Sequence, residues 1–385
     1  MKLFIILLMA FNIAHAGELF GYVSQTAVRG SGVNIGGSKD SSWSLAKNEV
    51  NLSGDYRKFD TDFRFTIGTT DEPGLEDNRL VVKYALADRQ WDLGYNASLG
   101  VRVGRVPHTL GFFNNTRNAP QAGQFIYLPE GIYREQFKWL AMSGDGGQVY
   151  YNKIYNKDLQ IDFTGTWTKA NLSANREVVS GHFNTPTVGE FNYNKSEVRG
   201  LTIEGRYQCT KFYYNWINLY FWLKPDFPFS TFVQEGRADT NVHVVGAKQY
   251  INQFEVGAEY LVVKLHDKVW QDIRANTSKY GDPTGWVISG VWHYNDKLDL
   301  AAYHSEYYTA IGDKSGQNQS TFSMMPADWF YVRADSVAAK YKIDNKWTLR
   351  TQYTRGRGAE PFLKTLNPAV SQKWNYLAMQ AIYSF

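Results

Sequence analysis

The twelve residues from Trp374 to Phe385 read WNYLAMQAIYSF, and their alternation decides the fold. Stepping back in twos from Phe385 gives Tyr383, Ala381, Met379 and Leu377, an apolar face that ends in aromatics. The other parity, Ser384, Ile382, Gln380, Ala378 and Tyr376, is mixed. A period of two marks a β-strand. An apolar strand face that ends in aromatic rings suits a bilayer, with the face in lipid and the rings at the interface. Taken alone, the segment also fits an ordinary sheet strand covered by a helix.

The other end of the chain narrows the choice. Met1 to Ala16, MKLFIILLMAFNIAHA, has a basic Lys2, an apolar run and an Ala-His-Ala site. It reads as a secretory signal peptide, too short to span a membrane as a helix. Residues 17–385 are then a single body, with no Pro- or Ser-rich linker inside it. No later stretch approaches the roughly 18 consecutive apolar residues of a membrane helix. If the exported chain lives in a membrane, it must close into a barrel, which satisfies every backbone group without helices.

Composition agrees. Aromatics make up 16% of the residues, with 26 Tyr and 12 Trp, although the mean hydropathy is only −0.42. That pairing fits many half-apolar strands with aromatic ends. The single cysteine, Cys209, excludes an internal disulfide framework. A net charge of +4 with no clustered basic stripe is no nucleic-acid signature.

Alternating runs recur along the whole chain. Five precede residue 104: around Phe20–Val28, Val50–Tyr56, Phe63–Ile67, Leu80–Leu86 and Ala97–Val103. Eleven more are read near 145–152, 159–168, 197–208, 212–223, 242–251, 254–263, 285–294, 298–308, 330–343, 347–356 and 374–385. Tight-turn compositions separate alternate pairs: Arg57 to Asp60, a turn near Asp88, Asn156-Lys157-Asp158, Asn252-Gln253, Asn295-Asp296-Lys297 and Asp344-Asn345-Lys346. Long polar loops, among them a Gly/Ser-rich Gly30–Ser44 and an acidic Asp71–Asn78, alternate with the turns. The expected fold is all-β: a transmembrane antiparallel β-barrel of about sixteen strands. A secreted β-sandwich or propeller is the competing architecture, and no repeated blade motif supports it.

One connection breaks the rhythm. Residues 106 to 147 read VPHTLGFFNNTRNAPQAGQFIYLPEGIYREQFKWLAMSGDGG. A loop this long and aromatic is unsafe in solvent and is usually functional. It is expected to fold into the barrel over residues 106–141, turning at Pro129-Glu130-Gly131, with a short helical piece over Ile132–Leu140.

Here a resemblance becomes specific. A long third loop after the fifth of sixteen strands resembles the constriction loop of the Gram-negative outer-membrane porins. The runs GRVPHTLGFFNNTRN, FIYLPEGIYREQF and SGDGGQVYY are similar to porin-like proteins of proteobacteria. The acidic Pro-Glu-Phe-Gly-Gly tip of many general porins is replaced here by Pro129-Glu130-Gly131-Ile132-Tyr133. The chain's ending also resembles the C-terminal strand of such barrels, in which a terminal Phe, here Phe385, is part of the signal read by the barrel-assembly machinery. The resemblance implies a passive aqueous channel for ions and small hydrophilic solutes in the bacterial outer membrane. It further implies a homotrimer in contact with lipid and lipopolysaccharide.

The family arrangement sets wall bases against loop acids. By parity, Arg64, Lys83 and Arg102 form the basic ladder, with Glu130 and Glu135 opposite and Arg117 and Arg134 also on the loop. Parity turns Arg206, Lys340 and Arg350 inward as well, against only three acids, Asp62, Glu204 and Glu259. The excess predicts a weak preference for anions, damped by screening over about 8 Å at physiological salt. A substrate-specific channel is the runner-up; there Phe112, Phe113, Tyr127, Tyr133 and Trp139 would line the passage and stack on sugar rings or hold an anion. A barrel hydrolase is the third reading. It lacks a G-x-S-x-G motif, an H-E-x-x-H and any Cys/His zinc spacing, so neither catalytic residues nor a metal or cofactor are assigned. The acids Asp71, Glu72, Glu76 and Asp77 read as a solvated or subunit-contacting loop, with divalent-ion binding as the lesser alternative.

Overall fold

The computed structural model describes residues 17–35, 41–72, 76–114, 117, 119–134, 143–170, 196–223, 236–266, 281–323, 326–359, 367, 370 and 372–385. The signal-peptide reading of 1–16 lies outside them. The strands are β1 (Gly17–Ser31), β2 (Trp43–Lys58), β3 (Thr61–Glu72), β4 (Glu76–Gly94), β5 (Ala97–Pro107), β6 (Ser143–Ile154), β7 (Leu159–Ala170) and β8 (Ser196–Tyr207). They continue as β9 (Thr210–Leu223), β10 (Gly236–Ile251), β11 (Phe254–Leu265), β12 (Thr284–His293), β13 (Leu298–Tyr308), β14 (Tyr331–Lys342), β15 (Trp347–Arg357) and β16 (Lys373–Ser384). Each pairs antiparallel with its chain neighbours, and β1 pairs with β16 to close the barrel.

The closing seam involves the segment that decided the fold. Tyr22 faces Ser384 and Ser31 faces Asn375 across it. Past the last ladder pair, Gly21 and Phe385 exchange backbone hydrogen bonds of 2.9 and 3.0 Å.

Local chemistry explains the tight turns. Asn156, Asn295 and Asp344 each turn a side-chain oxygen onto two backbone N–H groups just ahead, at 2.7–3.0 Å. Such self-bonding is why Asn and Asp start turns. For Asp344 the two N–H bonds hold its carboxyl below the usual aspartate range. Phe59-Asp60 and Tyr95-Asn96 adopt positive φ at both central residues, the two-residue hairpin that matches strand twist. Exposed Cys209 sits in the turn between β8 and β9.

Three expectations need correction. The turn near Asp88 does not exist: β4 runs on to Gly94, and Asp88 is a buried inward residue on it. The acidic loop Asp71–Asn78 is mostly strand, with only 73–75 left between β3 and β4. Long and short connections therefore do not alternate strictly. Cross-strand pairing of the flanking residues outweighs the low strand propensity of Asp and Glu.

Outward side chains form an apolar belt, with Val50, Phe63, Val103, Leu201, Val245 and Leu349 all exposed. At the tight-turn end, rings cluster: Phe254 on Trp292, Trp292 on Tyr294, and Trp347 on Tyr383. This is the aromatic girdle of a membrane barrel. Arginine in place of Leu201, at mid-strand on the belt, should destabilise the barrel by about 2–4 kcal/mol. Equilibrium refolding into lipid bilayers measures this, and a cost near zero would mean that the face does not meet lipid.

Candidate functional site: a loop docked across the lumen

The loop between β5 and β6 lies inside the barrel and is held at two anchors. The first is on β9 and β11. Gly111 N–H donates to Asn215 Oδ1 at 2.8 Å, and Phe112 N–H to Glu259 Oε1 at 2.8 Å. The hydroxyls of Tyr133 and Tyr213 both donate to the same Oε1. Tyr133 Oη also accepts from Phe113 N–H at 3.1 Å. Gly111 has φ +62°, and a Cβ there would meet Tyr133 Oη, so no other residue fits the turn. Burial, and then the neighbouring Glu259 charge, push the Tyr133 hydroxyl well above the usual tyrosine range.

The second anchor is on β15. Gln352 Oε1 accepts from Ile126 N–H at 2.7 Å and Tyr127 N–H at 2.9 Å, and Gln352 Nε2 donates to Tyr127 C=O at 3.0 Å. Arg350 Nη1 donates to Phe125 C=O at 2.9 Å. Between the anchors, Phe125 packs edge-on against Tyr303 at 4.9 Å, and Tyr127 against Tyr376 at 5.5 Å. The expected turn is present, with Pro129 C=O accepting from Ile132 N–H and Tyr133 N–H. Its backbone lies directly on the wall: a Cβ at Gly285 would stand 1.8 Å from Gly131 O. Ile132–Arg134 are not helical, and 135–142 lie outside the described residues.

This docking corrects several expected roles. Phe113, Tyr127 and Tyr133 are 6%, 7% and 1% exposed; they are anchors packed into the β9–β16 wall, not an open aromatic lining. Phe112 remains half-buried, edge-on to Tyr213 at 4.5 Å and under Lys248 Nζ at 4.8 Å. Trp139 and Glu135 fall outside the described residues. Glu130 lies within electrostatic reach of Tyr303 and Tyr376, on the wall the loop covers. Arg117 donates to Tyr133 C=O at 2.8 Å, and Arg134 sits 4.5 Å over the Tyr307 ring. Both bases hold the loop in place.

The ladder is brought only partly together. Arg102 Nε donates to Asp88 Oδ2 at 2.9 Å and its guanidinium lies 4.3 Å over Tyr150. Arg64 is 3.9 Å from the same Asp88 and 3.4 Å from Asp62. Tyr150 Oη donates to Asp88 Oδ1 at 2.7 Å. Lys83 is separate, 4% exposed and 4.0 Å from Glu49. Arg350 and Lys340 are buried too, the latter 2.9 Å from Asp299.

The inward acids Glu49, Asp88 and Asp299 were missed by sequence reasoning. Asp88 was hidden by the supposed turn, and Glu49 by starting β2 too late. Glu49 follows from strand parity once β2 begins early enough, because it shares parity with Asn51 and Ser53. Asp88 does not, because an irregularity in the β3–β4 ladder at Lys83 shifts β4 by one residue, so that Lys83 and Asp88 both face inward although five residues apart. The six-to-three excess of bases is therefore not what the wall carries. Most inward bases sit in ion pairs, Lys211 with Glu204 at 3.0 Å and Lys248 with Glu255 among them.

No family model and no curated protein matches the sequence. Solved structures do match the fold. The outer-membrane channel DcaP of Acinetobacter baumannii is 13% identical, with TM-score 0.58 over 96% of this chain and 97% of that one. An anion-selective porin from Comamonas acidovorans is 10% identical, with TM-score 0.55 over 96% and 99%. OmpT, an outer-membrane protein of Vibrio cholerae solved in a trimer form, is 10% identical, with TM-score 0.54 over 96% and 100%. The chain has the fold of the sixteen-stranded outer-membrane porins. A closed barrel with an apolar outer belt accords with an outer-membrane location.

Proposed function

We propose that this chain is an outer-membrane porin, a passive aqueous channel for ions and small hydrophilic solutes, exported by the signal peptide 1–16. One observation carries the reading: the inserted loop is anchored on the β9–β16 side and leaves the charged wall of β3–β9 exposed, with Arg64 42%, Arg102 29% and Lys211 28% open. A loop that narrows a water-filled barrel against a charged wall is built to pass solutes through a field. No chemical step is needed, and the protein is read as no enzyme. Discrete conductance steps in a planar bilayer test the proposal, and their absence would overturn it.

The finer reading is a weak preference for anions, carried by Arg64, Arg102 and the exposed Arg206 rather than by Lys83 or Arg350. Asp62 and Asp88 beside the two wall arginines keep it weak. Alanine at Arg64 and Arg102 together removes both wall guanidiniums and leaves Asp88 with the Tyr150 hydroxyl and Asp62 with Arg57 at 3.6 Å. A unit charge near 4 Å acts with about 1 kcal/mol in water, so permeability should shift toward cations by about two- to fivefold. The reversal potential in a salt gradient reads this, and a shift toward anions would refute the assignment.

We further infer a homotrimer, supported by the trimer form of the structurally similar Vibrio protein. Phe385, tied to Gly21 at the seam, is assigned as the end of the signal for the barrel-assembly machinery. Lipopolysaccharide and other outer-membrane lipid contact the belt. The substrate-specific alternative keeps one half-buried ring, Phe112 beside Lys248, as its support; block of the current by low concentrations of a sugar would favour it.

A further inference from the structure

The lumen wall below the loop's first anchor holds three bases in one cross-strand row. Arg206 on β8 faces Lys211 on β9, and Lys211 faces Lys248 on β10, as direct register partners. Their parity is inward, shared with Tyr213 and Glu259 of the anchor. Like charges placed directly opposite each other destabilise a sheet, so the row costs stability that a mixed row would not.

Three carboxylates stand close by, and each already has a partner. Glu204 lies 3.0 Å from Lys211 Nζ, and Glu255 pairs with Lys248. Asp162 accepts from Gln160 Nε2 with both oxygens at 3.0 Å. Arg206 is exposed to the lumen and makes no hydrogen bond or ion pair among the described residues. Its five N–H donors stand beside Lys211, which is 28% exposed.

Rings flank the row. Tyr250 follows Lys248 by two residues on the same face of β10, is 42% exposed and lies within electrostatic reach of Arg206. On the loop side Phe112 stays half-buried, with Lys248 Nζ 4.8 Å over its ring. Lys211 is two residues, about 7 Å along β9, from Tyr213 of the anchor. It is also the second residue of its strand. The row thus sits at the tight-turn mouth, apart from Arg64 and Arg102 on β3 and β5.

We propose that this row is a dwell site for aromatic monocarboxylates at the tight-turn mouth, with the carboxylate on Arg206 and Lys211 and the ring against Tyr250. This presupposes the pore reading and names a substrate class for it. The guanidinium fork matches two carboxylate oxygens, and its plane also stacks on rings. An aromatic acid gains a contact with Tyr250 that an aliphatic acid cannot make. A neutral aromatic lacks the charge that fills the Arg206 donors.

Block of single-channel current by benzoate, acetate and benzamide tests it. Benzoate should block the wild type at about tenfold lower concentration than either of the others. Arg206→Gln should weaken the benzoate block about tenfold, through loss of charge-assisted bonds. Tyr250→Leu should weaken it about threefold to tenfold and leave the acetate block unchanged. Equal potency of the three probes would overturn the site, as would undiminished benzoate block in both variants. A larger loss in the Arg64→Ala, Arg102→Ala double variant than in Arg206→Gln would place the anion on the β3–β5 wall, and would overturn the site too. A wild type without conductance steps would sink the pore reading instead. Line broadening of the benzoate ring protons by the purified protein then reads the site directly: its loss in Arg206→Gln supports the site, and equal broadening by both proteins overturns it.

Discussion

Leucine in place of Glu259 should raise the single-channel conductance and make the open level noisy, while the barrel still folds. One carboxylate oxygen gathers Phe112 N–H, Tyr133 Oη–H and Tyr213 Oη–H. Leaving three buried donors without an acceptor costs about 1–3 kcal/mol each, so on the order of 3–9 kcal/mol. The loop escapes this by lifting off and letting its donors reach water, whereas the strand ladders lose nothing. Glutamine at the same position keeps an acceptor and should have a much smaller effect. Planar-bilayer recordings of the two variants decide it. Equal conductance in wild type and Glu259→Leu would mean that the loop is not held there. The Tyr133 hydroxyl adds a pH signature. Its folded pKa is raised, so its contribution is complete below about pH 10, the ordinary tyrosine value, and is lost only above it. Conductance should not respond to this group between pH 6 and 9.

Leucine in place of Gln352 should release the other end of the loop. The amide of Gln352 closes on two backbone N–H groups and one C=O of residues 126–127, all buried. Opening three such bonds again costs on the order of 3–9 kcal/mol if the groups stay dry. Arg350 continues to hold Phe125 C=O, so the released span is short and the single variant should change conductance less than Glu259→Leu. The combination with Glu259→Leu should exceed the sum of the two, because either anchor alone keeps the loop on the wall. Strict additivity in the double variant would argue against two anchors acting on one segment.

The sixteen strands, the parity of most of them and most of their turns are legible in the sequence alone, whereas the irregularity that turns both Lys83 and Asp88 inward on β4 is not. Strands, parity and turns are local properties. A period of two fixes which side chains share a face, and an Asn or Asp that bonds the next N–H groups fixes a turn within four residues. Reading failed where local signals conflict, as at Asp71–Asn78 and Asp88, where strand pairing holds acids that look like turn residues. The tertiary structure alone decided which inward charges are open. Arg64 and Arg350 are the same residue type on the same face of their strands, yet one is 42% exposed and the other 5%. The difference is the loop, which bonds to Arg350 across 225 residues of chain and leaves Arg64 uncovered. Parity turns a side chain toward the lumen, but only the docked loop, held by contacts far apart in sequence, determines whether that side chain meets water, a carboxylate or a backbone carbonyl.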